Sequence, residues 1–190
     1  MKRLLAVTGL MLAGAVVAWA LFIALPRKYG APSTQSASAA PPPTAPAPPG
    51  RKIKARLYYV GEDGTRLTQV ERDVPYGEGT VEQAKEIVGA QIAAVAEPIV
   101  SAIPPGTKLR ALFVTERGDA YVDLSREVTA AHAGGSLNEV LTVYTIVNAL
   151  TANLPAVKAV QVLVEGKAVD TLAGHVDLRR PLAQNLSWIQ

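Results

Sequence analysis

The stretch Gly134–Thr151, GGSLNEVLTVYTIVNALT, constrains this chain more than any other. Leu137, Val140, Leu141, Tyr144, Val147 and Leu150 recur at spacings of three and four, the signature of an α-helix with one apolar face. Val143 and Ile146 widen that face until only Asn138, Thr142 and Thr145 remain as a narrow polar line. A helix apolar over most of its circumference must be covered on more than one side, so the flanking segments have to pack onto it. Its start reads as a capping box: the Ser136 hydroxyl takes a free backbone N–H, and Glu139 reaches back to the N–H of Ser136.

The flanks supply strands and a second helix. Ile53 to Val60 and Leu67 to Val74 are rich in β-branched and aromatic residues and are separated by Glu62-Asp63-Gly64, which predicts a hairpin. Thr80 and Gln83 have the spacing of another capping box, followed by Val81, Ala84, Ile87, Val88, Ile92 and Val95 at helical intervals. Pro98 and Pro104-Pro105-Gly106 interrupt any helix beyond Glu97. Leu109 to Thr115 and Ala120 to Leu124 predict a second hairpin around Glu116–Asp119, and Ser125 to Val128 one helical turn. Beyond Pro155, Lys158 to Val164 and Ala168 to Leu172 read as strands about Gly166, with irregular chain through Pro181. Regular βαβ alternation is missing from this order. The expected fold is therefore α+β, with the two main helices packed on one face of a mostly antiparallel sheet.

The N-terminal part has a different character. No Asp or Glu precedes Arg51, and Leu4 to Leu25 carries no charge, a length near the roughly 20 residues that cross a bilayer. Ala18-Trp19-Ala20 imitates a signal-peptidase site, but the apolar run continues to Leu25, which favours an uncleaved anchor over residues 1–28. Residues 29–50 are rich in Pro, Ala and Ser with almost no bulky apolar side chain, the composition of an extended tether. Residues 51–190 are left to fold. They hold all 16 acidic residues and all but Lys2, Arg3, Arg27 and Lys28 of the 19 basic ones, so their net charge is 15 − 16 = −1. The total of +3 belongs to the anchor's flanks and argues against nucleic-acid binding by the domain. With no cysteine, neither a disulfide nor a lipidated thiol is available. The expected address is the cell membrane, single-pass, with the C-terminal domain outside the cytoplasm.

Several short motifs recur in a definite order. Val122-Asp123-Leu124-Ser125, Gly134-Gly135-Ser136 with Glu139, Ile146 to Thr151, Pro155, Val160 to Val164 with Glu165-Gly166, and Leu172-Ala173-Gly174-His175-Val176-Asp177 closely resemble the GerMN domain of sporulation and spore germination proteins. The resemblance covers Ile53 to Leu182; Ala149 departs from it, standing where the family pattern has threonine. It implies an extracytoplasmic domain similar in arrangement to ring-building modules, used for protein assembly rather than catalysis and linked to sporulation or germination.

Each residue with chemical potential also has a structural reading. Ser136 follows two glycines but sits in no G-x-S-x-G elbow, so it reads as a cap and not a nucleophile. His132, His175 and Asp177 lack the spacing of metal ligands, although His175 and Asp177 would share a face if they lay on a strand. Arg179-Arg180 can meet an anion or simply be solvated. Tyr58, Tyr59, Tyr76 and Trp188 are the aromatics that a carbohydrate site would draw on, and equally plain core material. The expectation is a non-enzymatic envelope module with no catalytic, cofactor or metal residue. Its partner is an envelope protein or a second copy, with peptidoglycan as the alternative ligand.

Overall fold

The computed structural model describes residues 50–190. Strands β1 (Lys52–Val60) and β2 (Leu67–Pro75) form an antiparallel hairpin in which Ile53 faces Val74 and Leu57 faces Val70. Helix α1 (Gly79–Ile92) comes next, then β3 (Leu109–Val114) and β4 (Asp119–Leu124), antiparallel with Leu112 opposite Val122. Gly118 closes their turn at φ 92°, where a Cβ would lie 2.6 Å from the Ala156 carbonyl oxygen. Glycine alone satisfies both conditions. A one-turn helix α2 (Glu127–Ala130) leads to α3 (Ser136–Asn153), the predicted central helix. Strand β5 (Ala159–Val164), two short strands β6 (Lys167–Ala168) and β7 (Leu182–Ala183), and a 3₁₀ turn at Leu186–Trp188 complete the fold.

The architecture is α+β with mostly antiparallel pairing, as the pattern predicts. The strands divide into two sheets: β1–β2 alone, and β3-β4-β5-β6 with β7 also on β5. One pairing is parallel: β4 and β5 run side by side, with Val122 opposite Val162, and α2 and α3 form the connection between them. That crossover corrects the expectation of a chain without βαβ units. It is explained by the length of α3, which carries the chain back along the sheet before β5 begins.

Side-chain alternation shows which face is covered. Leu112, Ala120, Val122, Leu124, Val160 and Val162 are buried, whereas Phe113 on the opposite face is 62 % exposed. Both long helices lie on the buried face, and both also touch the β1–β2 hairpin, so α3 is enclosed as its sequence requires. Leu141, Val143, Ile146, Val147, Ala149 and Leu150 are all essentially inaccessible. The line read as polar is buried too: Thr142 and Thr145 are at 1 % and 0 % exposure, and only Asn138 of the three is exposed.

Four local expectations are corrected. Helix α3 is capped by Gly135 with no side-chain bond, so Ser136 is its first helical residue and not its cap. Helix α1 starts after Glu78, again without a side-chain cap; Gln83 instead accepts from Gly77 N–H and donates to Pro75 C=O, both at 3.1 Å, fixing the entry to the helix. Val95 lies beyond the end of α1, though it still packs on the core. The strand expected from Ala168 to Leu172 stops at Ala168, because the chain beyond is held by α3 rather than by the sheet. Leu4 to Leu25 and the tether lie outside the described residues, and no helix among the described residues is long and apolar enough to cross a membrane.

Candidate functional site

Glu139 is the most informative polar residue. It occupies the first turn of α3 with 0 % exposure, and it does not turn back to Ser136. Its Oε1 accepts the Leu172 N–H at 2.7 Å, and its Oε2 accepts the His175 N–H at 2.8 Å with the His175 Nδ1 at 3.2 Å. Burial pushes the Glu139 carboxyl up, but backbone N–H groups of Ala173, His175, Leu172 and Val176 outweigh it and hold the carboxyl below the usual range. A carboxylate at a helix N-terminus gains further from the helix dipole. Glu139 thus anchors the loop 170–178, whose ends meet where the Leu178 N–H donates to the Asp170 C=O at 2.8 Å. This is why the segment leaves the sheet.

Three helix amides act in the manner of strand peptide groups. Gln91, on α1 with 0 % exposure, accepts the Tyr58 N–H and donates to the Tyr58 C=O, each at 2.8 Å. Asn153 does the same for Arg56 at 2.9 and 2.8 Å, and Asn148 for Asn185 at 3.1 and 3.0 Å. Each side chain satisfies both backbone groups of one residue. Sequence reasoning missed these roles. A bonding amide on a helix has no periodic signature, and the pairing becomes visible only once the strand or loop lies against it.

The candidate site residues each have a partner within the chain or stand in the open. His132 Nδ1 accepts the Gly134 N–H at 2.9 Å, which leaves Nε2 as the protonated nitrogen facing Thr142 Oγ1 at 3.2 Å. Thr142 Oγ1 in turn lies 2.7 Å from the Ala102 carbonyl oxygen. His132 borders a half-open groove of about 400 Å³ lined mainly by apolar groups, among them Val60, Val100, Ile103 and Leu141. His175 and Asp177 lie in the loop, not on a strand; the first faces Glu139, and the second takes a two-pronged bond from Arg179 at 2.9 and 2.7 Å. That Arg179 guanidinium holds the Asp177 carboxyl well below the usual carboxylate range. Arg180 lies beside this pair, and the three residues line a second half-open pocket. Ser136 is exposed. Tyr58 and Tyr59 are buried at 1 % and 2 %, so they are core; Tyr76 is 43 % exposed with the Arg51 guanidinium over its ring, and Trp188 is half-buried in the 3₁₀ turn.

A second polar cluster ties three strands together. Asp123 accepts the Gly166 N–H at 2.7 Å and the Arg110 Nε–H at 3.2 Å, while Glu165, at φ 52°, pairs with Arg110 Nη1 at 2.6 Å. The Arg126 N–H also donates to Glu165 at 3.1 Å. Its buried member, Asp123, is paired, so the arrangement is a brace rather than a reacting pair of carboxylates.

No curated protein matches the sequence. Among solved structures, the fold is similar to a chain named Putative Lipoprotein from Clostridium perfringens, with 21% identity and a TM-score of 0.50 over 70% of this chain and 87% of that one. It is similar to the tandem GerMN domains of the sporulation protein GerM from Bacillus subtilis, with 15% identity and a TM-score of 0.52 over 72% of this chain and 46% of that one. The first GerMN domain of the same protein matches at 14% identity and a TM-score of 0.50, covering 69% and 97%. At these identities the likeness concerns the fold, which all three share. Residues 56–170, more than half of the chain, match the family named Germane and described as sporulation and spore germination, and the protein belongs to that family.

Proposed function

We propose that the protein is a membrane-anchored, extracytoplasmic assembly module of the cell envelope, without catalytic activity and without metal or cofactor. One observation carries this reading: among the described residues the buried polar side chains, apart from the Thr145 hydroxyl, are engaged in holding backbone. Glu139 holds the loop 170–178, Asp123 the turn at Gly166, and Gln91 and Asn148 bond the peptide groups of Tyr58 and Asn185, as the half-buried Asn153 does those of Arg56. Groups engaged in this way give shape to a surface. Family membership, the apolar run Leu4 to Leu25 and the proline-rich residues 29–50 support the address and the reach. A role in sporulation or germination accords with the family description. The chain has no cysteine to carry a lipid, so the apolar run itself serves as the anchor.

The half-open groove beside His132 favours one second reading, a cell-wall ligand bound directly by the domain. The two are separated by crosslinking the full chain in living cells at positions scanned over its surface, while binding to purified sacculi is assayed in parallel. Protein crosslinks with weak sacculus binding support assembly. Saturable sacculus binding without a protein crosslink supports the wall reading, and turnover of a wall substrate lost on a point substitution that preserves the fold overturns both.

A further inference from the structure

We infer that edge strand β3 is a self-association surface, on which a second copy of this chain adds its own β3 antiparallel about Phe113; this rests on the assembly reading and names the partner. The outer edges of the other long strands among the described residues are bonded, covered or charged. The outer edge of β1 is bonded by Gln91 and Asn153. The outer edge of β5 is covered by β6 and β7, with Gln161 bridging the gap to the Leu178 carbonyl at 2.7 Å. Along β2 the Gln190 N–H takes the outward carbonyl of Leu67, and the remaining outward positions carry Gln69, Glu71 and Asp73; Asp73 is paired with Lys54, and pairing with a like strand would set Glu71 against its own counterpart.

Strand β3 has no such protection. The Thr115 N–H donates to Asp119, so alternation turns Phe113 toward β4 and aims the backbone groups of Leu112 and Val114 outward, where no described residue bonds them. Phe113 is 62 % exposed at the centre of this edge, more than any other large apolar side chain described. A twofold axis beside Phe113 is self-complementary. It pairs Leu112 with Val114 of the second copy in both directions, without using the bulge between Leu109 and Ala111. Phe113 then faces its counterpart across a non-hydrogen-bonded position, where opposed side chains approach most closely. The domain's net charge of −1 offers little repulsion to pairing.

The test uses the full chain in detergent solution and in intact cells. Because it has no cysteine, Phe113→Cys is its sole thiol, and the proposed register brings the paired Cα atoms to about 4.5 Å, within the range a disulfide spans. Oxidation should convert most Phe113→Cys chains to disulfide dimers, leave Tyr76→Cys and Ala111→Cys monomeric, and join Ala111→Cys to Thr115→Cys when the two are mixed. Phe113→Ala should weaken the dimer roughly tenfold, and Phe113→Glu should abolish it while leaving the monomer's melting temperature, read at a dilution where the parent chain is also monomeric, unchanged. Dimerisation of Phe113→Cys no faster than of Tyr76→Cys, or a dimer that survives Phe113→Glu, overturns the inference. Phe113→Cys captured by a different envelope protein overturns it too, while leaving the assembly reading intact. Absence of every protein crosslink, with sacculus binding retained, sinks that reading as well.

Discussion

Strands β1 and β3 each present a row of peptide groups away from their hairpin partner, and the protein treats the two rows in opposite ways. On β1 the row is sealed by Gln91 and Asn153, which place side-chain amides where another strand's peptides would be. On β3 the row is left open beside an exposed phenylalanine. The difference arises from the neighbours of each edge. Helices α1 and α3 run along β1 and can extend amides to it, whereas α1 meets β3 from the buried face and leaves its rim to solvent. An edge sealed by side chains contributes to stability and is closed to partners; an open edge contributes nothing in the monomer and is available to a partner.

This contrast can be broken most forcefully at Gln91. Gln91→Ala strands a buried N–H and C=O on Tyr58 and leaves a void, and should cost about 2 to 4 kcal/mol in urea unfolding. A loss under about 0.5 kcal/mol would show that the β1 edge needs no seal. Next is Glu139→Gln, expected to cost about 1.5 to 3 kcal/mol by weakening the hold on the loop 170–178. Its carboxyl is lowered in the fold, so its stabilisation is present above the unfolded value of about 4.3 and is lost as pH falls through the lower folded value. Unfolding free energies measured from about pH 7 down to about pH 3 should therefore fall less steeply in Glu139→Gln than in the parent chain. Asn153→Ala, at a more exposed pair, should cost about 1 to 2 kcal/mol, with faster amide exchange at Arg56 as its local mark. The smallest effects belong to the open side and to the exposed helix start. Phe113→Glu and Ser136→Ala should each change stability by under about 0.5 kcal/mol, the first because its side chain already faces water and the second because Gly135 is the cap. A loss of about 1 kcal/mol or more at Ser136 would restore its capping role.

Much of the frame is legible in the residues. Both hairpins, the extent of α3 and its burial are readable because periodicity and turn residues are local, and a helix apolar nearly all round can satisfy itself only by being covered. The order of short motifs points to the family over the same span. Capping, by contrast, is misread from spacing at both long helices. Spacing shows that Glu139 can reach Ser136, but not that a loop more than thirty residues later offers it several backbone donors in a dry site. The division of the strands into two sheets and the parallel pairing of β4 with β5 are equally out of reach, since both depend on which distant segment arrives beside which.

The sequence by itself determined the elements, the enclosed central helix and the difference in character between residues 1–50 and the rest, because each depends on composition and near-neighbour spacing. Only the tertiary structure decided where the buried polar groups are engaged and which strand edge stays open. A side-chain amide or carboxylate is specified by its burial and its partners, and those exist only after residues far apart in the chain have been brought together.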